Sequence, residues 1–176
     1  MIFVEAPKEV KAKGKKLFLA GGITNCPDWQ AMLIESLKDE DLDLIVYNPR
    51  RANFPIDDPD ASEEQIAWEY KHLKGADILV FWFSRGSLNP IVLYELGMWG
   101  NSSDRPLCIC LDPEYERIQD VEIQTSLSRP DVDIFYPEDD DEGVELVKDW
   151  IIGQVENKKK SYKLSTLNRK RNSFNY

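Results

Sequence analysis

The sequence predicts an α/β protein, a parallel sheet with helices on both faces, and two observations carry that reading. Apolar, strand-length runs alternate with helical patterns along the chain, as parallel strands joined by crossover helices require. The run Ile78 to Phe83 has no polar interruption, which is the composition of a strand buried on both faces. A polar loop then leads into a helix opened by Asn89 as cap and Pro90 at its first position.

The remaining elements follow in order. Leu17 to Ala20, after Lys15 and Lys16, is a first strand ending in Gly21-Gly22. Pro27 to Lys38 places Trp29, Met32, Leu33 and Leu37 on one apolar side of a helix. Leu42 to Tyr47 is a second strand, stopped by Asn48-Pro49, and Pro55 and Pro59 keep the loop Arg50 to Asp60 irregular. Ser62 opens a helix with Glu63, Glu64 and Gln65 in its first turn, running to Lys74. Beyond the third strand and third helix come a strand Pro106 to Leu111, a short helix Asp120 to Leu127 and a short strand Val132 to Phe135. The acidic run Glu138 to Glu142 suits the positive end of a last helix, Gly143 to Glu156. Five parallel strands with right-handed crossovers imply a flavodoxin-like three-layer sandwich.

Length and composition fit one globular domain: 176 residues, 42% hydrophobic and 31% charged. Charge divides the chain into a body, 1–157, and a tail, 158–176. The tail carries seven basic residues and no acidic one; the body carries 15 basic against 32 acidic, a net of −17. Such a body repels polyanions, which argues against a duplex nucleic acid partner. The tail reads as a mobile arm or a strap on a neighbouring subunit.

Met1-Ile-Phe-Val meets Glu5 and then a lysine cluster, so no secretory pattern is read and a cytoplasmic location is expected. The apolar runs are far too short for a membrane span. Cys26, Cys108 and Cys110 lack disulfide spacing, and His72 is the single histidine, so a four-ligand zinc site lacks donors. Buried reduced thiols, no metal and no cofactor are the expectation, with His72 on a helix surface.

In this architecture ligands bind at the carboxyl ends of the strands. That rim gathers Gly21 to Asn25, with Gly22, Thr24 and Asn25 among them, then Asn48 to Arg51, and Ser84 to Asn89. Gly21-Gly22 lets the backbone approach a ligand and leaves N–H groups free. Asn48 and Arg50-Arg51 suit a hydroxyl, carboxylate or phosphate, or else solvate the loop beside Asp57-Asp58. Trp29, Trp68 and Trp82 either wall the cleft and stack on a flat ligand or are plain core.

Between Gly86 and Ser103 the only charge is Glu95, set in an apolar helical turn close to that rim. Two readings stand open: a chemically used carboxylate tuned by its surroundings, or a side chain reaching water past Tyr94 and Met98.

Three segments carry a family resemblance: Lys16-Leu-Phe-Leu-Ala-Gly-Gly22, Trp68-Glu-Tyr-Lys-His-Leu-Lys-Gly-Ala-Asp77 and Leu93-Tyr-Glu-Leu-Gly97. Together they resemble the nucleoside 2-deoxyribosyltransferase superfamily, over roughly Lys15 to Leu111. By that resemblance Glu95 falls on the glutamate that attacks the anomeric carbon of a nucleoside and holds the sugar as an ester. A second base or water then takes the sugar with retention. The family's second acid, eight residues ahead of the Ala-Asp aspartate, falls on Glu69, where the family usually has Asp. Asp77 itself starts its strand and is read as structural.

The chain also departs from the pattern. The tyrosine of the family's first strand is replaced by Leu17 or Phe18. The loop Gly22-Ile-Thr24 lacks the phosphate-gripping arginine of the related nucleotide hydrolases, although Ser87-Leu88 echoes their phosphate-contacting pair. Ser87 or Asn89 is placed to touch the sugar or its 5′ substituent. The resemblance thus implies a nucleoside or nucleotide substrate and sugar transfer between bases, with a homo-oligomer as the expected assembly. Hydrolysis of a nucleotide N-glycosidic bond and a non-catalytic nucleotide-binding module are the alternatives.

Overall fold

The computed structural model describes residues 1–55, 57–102 and 104–156. Eleven elements alternate: β1 (Ile2–Glu5), β2 (Lys15–Gly21), α1 (Trp29–Leu37), β3 (Leu44–Asn48), α2 (Ala61–Gly75), β4 (Ile78–Phe83), α3 (Pro90–Trp99), β5 (Leu107–Leu111), α4 (Ile118–Ser128), β6 (Asp133–Phe135) and α5 (Asp140–Val155). All strand pairs are parallel, in the order β1-β3-β2-β4-β5-β6. Without β1 this is the doubly wound order of the flavodoxin-like sandwich.

The sixth strand, β1, corrects the expected five. It pairs with β3 from Ile2 opposite Ile45 to Glu5 opposite Asn48. Its four residues sit at the sheet edge with Ile2 and Phe3 partly exposed, so no long apolar run marks it. The chain returns from β1 to β2 through residues 6–14, a strap without a helix.

Two cores flank the sheet. Phe18, Ala20, Tyr47, Phe81 and Phe83 pack under α2, α3 and α4 with Trp68, Leu73, Val92 and Val121. Leu17, Leu19, Val46, Val80 and Trp82 pack under α1 and α5 with Trp29, Leu33, Val147 and Trp150. The alternation along β2 shows why a strand buried on both faces reads as one apolar run. Cys108 and Cys110 lie side by side in the second core, as free thiols that burial pushes well above the ordinary value.

Several helix ends differ from expectation. α2 starts at Ala61 after Asp60, not at Ser62, because Asp58 Oδ1 accepts from the Asp60 N–H and shapes the turn. The acidic run reaches into α5: Asp139 caps it, its Oδ1 accepting from the Glu142 N–H at 2.9 Å, and Asp140, Asp141 and Glu142 form the first turn. Asp77 is structural as expected, its Oδ2 accepting from the Lys16 N–H at 2.8 Å. His72 corrects its assignment to the surface. It is 6% exposed and stacks on Tyr47 with ring centroids 4.0 Å apart. Among the described residues no helix is long and apolar enough to cross a membrane. The tail 158–176, and with it the body–tail boundary, lies outside the described residues.

Candidate functional site at the carboxyl rim

Glu95 projects from the second turn of α3 and Glu69 from the middle of α2; both are half-buried. Burial pushes the Glu95 carboxyl up to about 8, and the negative charge of Glu69 adds to that rise. Glu69 is also raised by burial, opposed by a hydrogen bond from Gln65. The charge on Glu69 thus favours the protonated form of Glu95.

The two helices are held across this seam by an edge-on contact of Tyr70 with Trp99, 5.3 Å between ring centroids. Gln65, which the sequence marks only as a first-turn residue, is part of the arrangement. Its Nε2 donates to Glu69 Oε1 at 2.8 Å and to Pro49 O at 2.7 Å, tying the acid to the loop after β3. The four-residue spacing between Gln65 and Glu69 on one helix face is the signal available in the sequence.

Asn89 lies at the start of α3 as expected, but its side chain does not cap the helix. The residue is left-handed, at φ 49°, and 6% exposed. Its Oδ1 faces Cys26 Sγ at 3.7 Å, which turns the amide nitrogen the other way, where among the described residues Nδ2 has no partner. Ser84 Oγ, Gln30 Nε2 and Gln65 Oε1 are likewise buried without a hydrogen-bond partner there. Ser84 follows β4, Gln30 is the second residue of α1 and Gln65 lies one turn into α2, each close to the carboxyl end of a strand. Buried polar atoms without partners are rare in folded proteins.

The glycines owe their place to packing. A Cβ on Gly21 would stand 2.5 Å from the Trp29 ring, and one on Gly22 would collide with Cys26 Sγ and lie 2.5 Å from Asn89 Oδ1. The Gly22 N–H is not free; it donates to Trp82 O at 3.2 Å. Thr24 and Asn25 are exposed in the following loop, Asn25 at φ 56°, and the Thr24 carbonyl accepts from Cys26 Sγ at 3.5 Å.

Other residues expected near the rim have partners within the protein. Trp29 and Trp82 stack on each other at 4.9 Å inside the core, and Trp29 Nε1 donates to Gly22 O. Trp68 is 4% exposed and donates to Lys8 O. None of the three presents a free ring face to the rim. Arg50 is already engaged: its guanidinium donates to Pro27 O and Cys26 O and pairs with Asp28. Asn48 Oδ1 accepts from the Arg50 N–H, fixing the loop. Arg51 pairs with Glu64, and Arg85 with Asp112 and Glu114. Ser87 is half-buried just ahead of Asn89.

Glu69 lies within electrostatic reach of Glu95 and is hydrogen-bonded to Gln65, while Ser84 and Asn89 flank the loop between β4 and α3. No protein of curated function matches the chain in sequence. The family model described as nucleoside 2-deoxyribosyltransferase like matches residues 14–115, from the first core strand past the end of β5, and the chain belongs to that family.

Proposed function

We propose that the protein cleaves the N-glycosidic bond of a nucleoside through a glutamyl-sugar ester on Glu95 and passes the sugar to a second base. The observation that carries this reading is the carboxyl pair, with Glu95 raised to about 8 by burial and by Glu69. One proton on two carboxyl groups supplies both a nucleophile and an acid, which is what retaining glycosyl transfer uses. A Glu95 oxygen attacks C1′, the C1′–N bond breaks, and its electron pair leaves with the base, which takes the proton through Glu69. The incoming base attacks C1′ and displaces the Glu95 carboxylate, and its proton returns to the pair. Developing positive charge on the sugar favours ionised Glu95 in the transition state, so the proton shifts toward Glu69 as the reaction proceeds.

The rim's cations favour a nucleoside over a nucleotide. Arg50, Arg51 and Arg85 each pair with a carboxylate, and Glu69 and Glu95 add negative charge beside any bound ligand. A 5′-phosphate would meet repulsion here, whereas a hydroxyl fits the donor of Asn89 and the hydroxyls of Ser84 and Ser87. Incubation with a deoxynucleoside and a second free base, followed by separation of products, tests the reading. A new nucleoside is expected; free sugar alone would make the protein a hydrolase, and binding without turnover a non-catalytic module.

Self-association belongs to the same proposal. Ile66 and Tyr70 on α2 and Ile91, Tyr94 and Met98 on α3 are large, exposed apolar side chains on the two helices that carry the acids. A homo-oligomer would cover them.

A further inference from the structure

Of the five buried polar atoms without a partner among the described residues, four lie close to the carboxyl ends of strands; the fifth is His72 Nε2. The His72 ring lines an open recess of about 420 Å³ on the flank of α2, together with Glu9, Lys11, Lys16, Tyr47 and Lys71, and Glu9 covers its Nε2. The recess has a structural origin. Parallel strands are normally joined by a helical crossover, but β1 and β2 are joined by the strap 6–14, which leaves space against α2. The strap is pinned by Trp68 Nε1 donating to Lys8 O at 2.8 Å and by Glu9 pairing with Lys71 at 2.6 Å.

The charge of the recess is opposite to that of the protein. The chain has a formal net charge of −10, yet five lysines fall between Lys8 and Lys16 with Glu9 as the only acid among them. Lys16 projects to the same side of β2 as Phe18 and Ala20, toward α2, and no ion pair of the described residues engages Lys11 or Lys16. Glu9 Oε1 lies 3.4 Å from His72 Nε2 without hydrogen-bond alignment, so the imidazole edge stays unsatisfied. Burial, more than the opposing pull of Glu9, keeps His72 below its ordinary value, and Lys71 and Lys16 reinforce this. An anion in the recess would reverse the balance, accepting from the lysines and from Nε2 together.

We propose that this recess binds a phosphate monoester, with Lys11, Lys16 and Lys71 holding the phosphate and His72 Nε2 donating to it. Orthophosphate alone would leave most of the volume empty, and cavities of this size accommodate small organic ligands. The Tyr47–His72 stack offers an apolar wall for the organic part. The site is separate from the carboxyl rim and does not depend on the activity proposed there.

The single histidine makes the test direct, because one imidazole C2–H resonance in the NMR spectrum reports on the site. Titration with glycerol 3-phosphate, which has neither a sugar ring nor a base to engage the rim, should shift that resonance saturably and raise the apparent pKa of His72. Inorganic phosphate should do so more weakly. In the Lys11→Ala/Lys16→Ala double variant, with its fold checked by circular dichroism, the dissociation constant should rise at least about tenfold, since charge-assisted bonds are lost. Glu9→Gln should tighten binding by removing the competing carboxylate. A shift that sodium chloride of equal ionic strength reproduces, or saturation unchanged in the double variant, would overturn the site. Equal affinity for both phosphates would overturn its assignment to a monoester.

Discussion

The negative charge of Glu69 raises the proton affinity of Glu95 across the seam between α2 and α3, on top of the larger effect of burial. Glu95 does not act as an independent acid. Removing Glu69 changes Glu95, so substitutions at the two positions should differ in kind.

Glu95→Ala should reduce base exchange at least about a thousandfold, as loss of a nucleophile does, and leave the far-ultraviolet circular dichroism unchanged. Glu69→Gln should slow the reaction by about 10²–10⁴-fold, the usual weight of general acid catalysis, and lower the pKa of Glu95 by removing the repulsion. Mass spectrometry of quenched enzyme should find a sugar ester on the peptide containing Glu95. An ester on any other residue would end the assignment.

Stability should carry the same signature. Folded Glu95 keeps its proton between the ordinary 4.5 and about 8, where the unfolded chain has lost it. Native protein binds more protons than unfolded in that window, so stability falls as pH rises through it. Glu95→Gln removes this loss. A tenfold change in proton affinity is worth about 1.4 kcal/mol, discounted here for partial exposure. The variant should therefore be more stable than the parent by roughly 1–2 kcal/mol at about pH 8.5 and nearly equal at about pH 4.5. Denaturant melts at the two pH values measure the difference, and equal gains at both would refute the pH linkage.

How much of this was legible in sequence differs by level. The apolar run Ile78 to Phe83 and the alternation around it pointed to strands β2 to β6 and to a parallel sheet, since burial on both faces leaves a continuous pattern. β1 escaped because four residues at a half-exposed edge carry no period, and only its pairing with β3 defines it. Glu95 was visible because a lone charge in an apolar helix stands out. Glu69 came from resemblance, and Gln65 from neither, because its bond to Pro49 O is a contact between distant segments. His72 shows the limit of type-based expectation. A histidine between Tyr47 and Trp68 is core for reasons of tertiary packing that spacing on one helix does not express.

Gln65 gives a prediction with a sharp direction. Its hydrogen bond holds the Glu69 pKa down against burial. Gln65→Leu should therefore raise the Glu69 pKa and move the pH profile of single-turnover cleavage, with a loss of about 0.5–1.5 kcal/mol in stability from the lost bonds. A profile unchanged in position, with only the amplitude reduced, would leave Gln65 a purely structural residue.

Gly22→Ala tests the packing at the rim. The added methyl would press on Cys26 Sγ and Asn89 Oδ1, the group that orients the Asn89 amide. Overpacking of this kind destabilises by about 1–3 kcal/mol. Because it turns Asn89, KM for the nucleoside should rise. Cys26→Ala in the same chain would make room and should recover part of both losses; no recovery would show that the clash lies elsewhere.

The assembly can be tested through the exposed side chains of the acid-bearing helices. Ile91 and Tyr94 are 64% and 66% exposed on α3, and Ile66 and Tyr70 are exposed on α2. Light scattering at about 50 µM, a range that reveals even micromolar self-association, should show a homo-oligomer, and Ile91→Lys/Tyr94→Glu should give a monomer. Salt separates this contact from one made by the basic tail 158–176 against the acidic body. Exposed charges are screened within a Debye length of about 3 Å at 1 M salt, whereas burial of apolar surface is not weakened by screening. An oligomer that persists in about 1 M sodium chloride and disappears in the double variant is the expected pattern. One that dissociates in salt and survives the double variant would place the contact on the tail, and a monomer under both conditions would remove the assembly altogether.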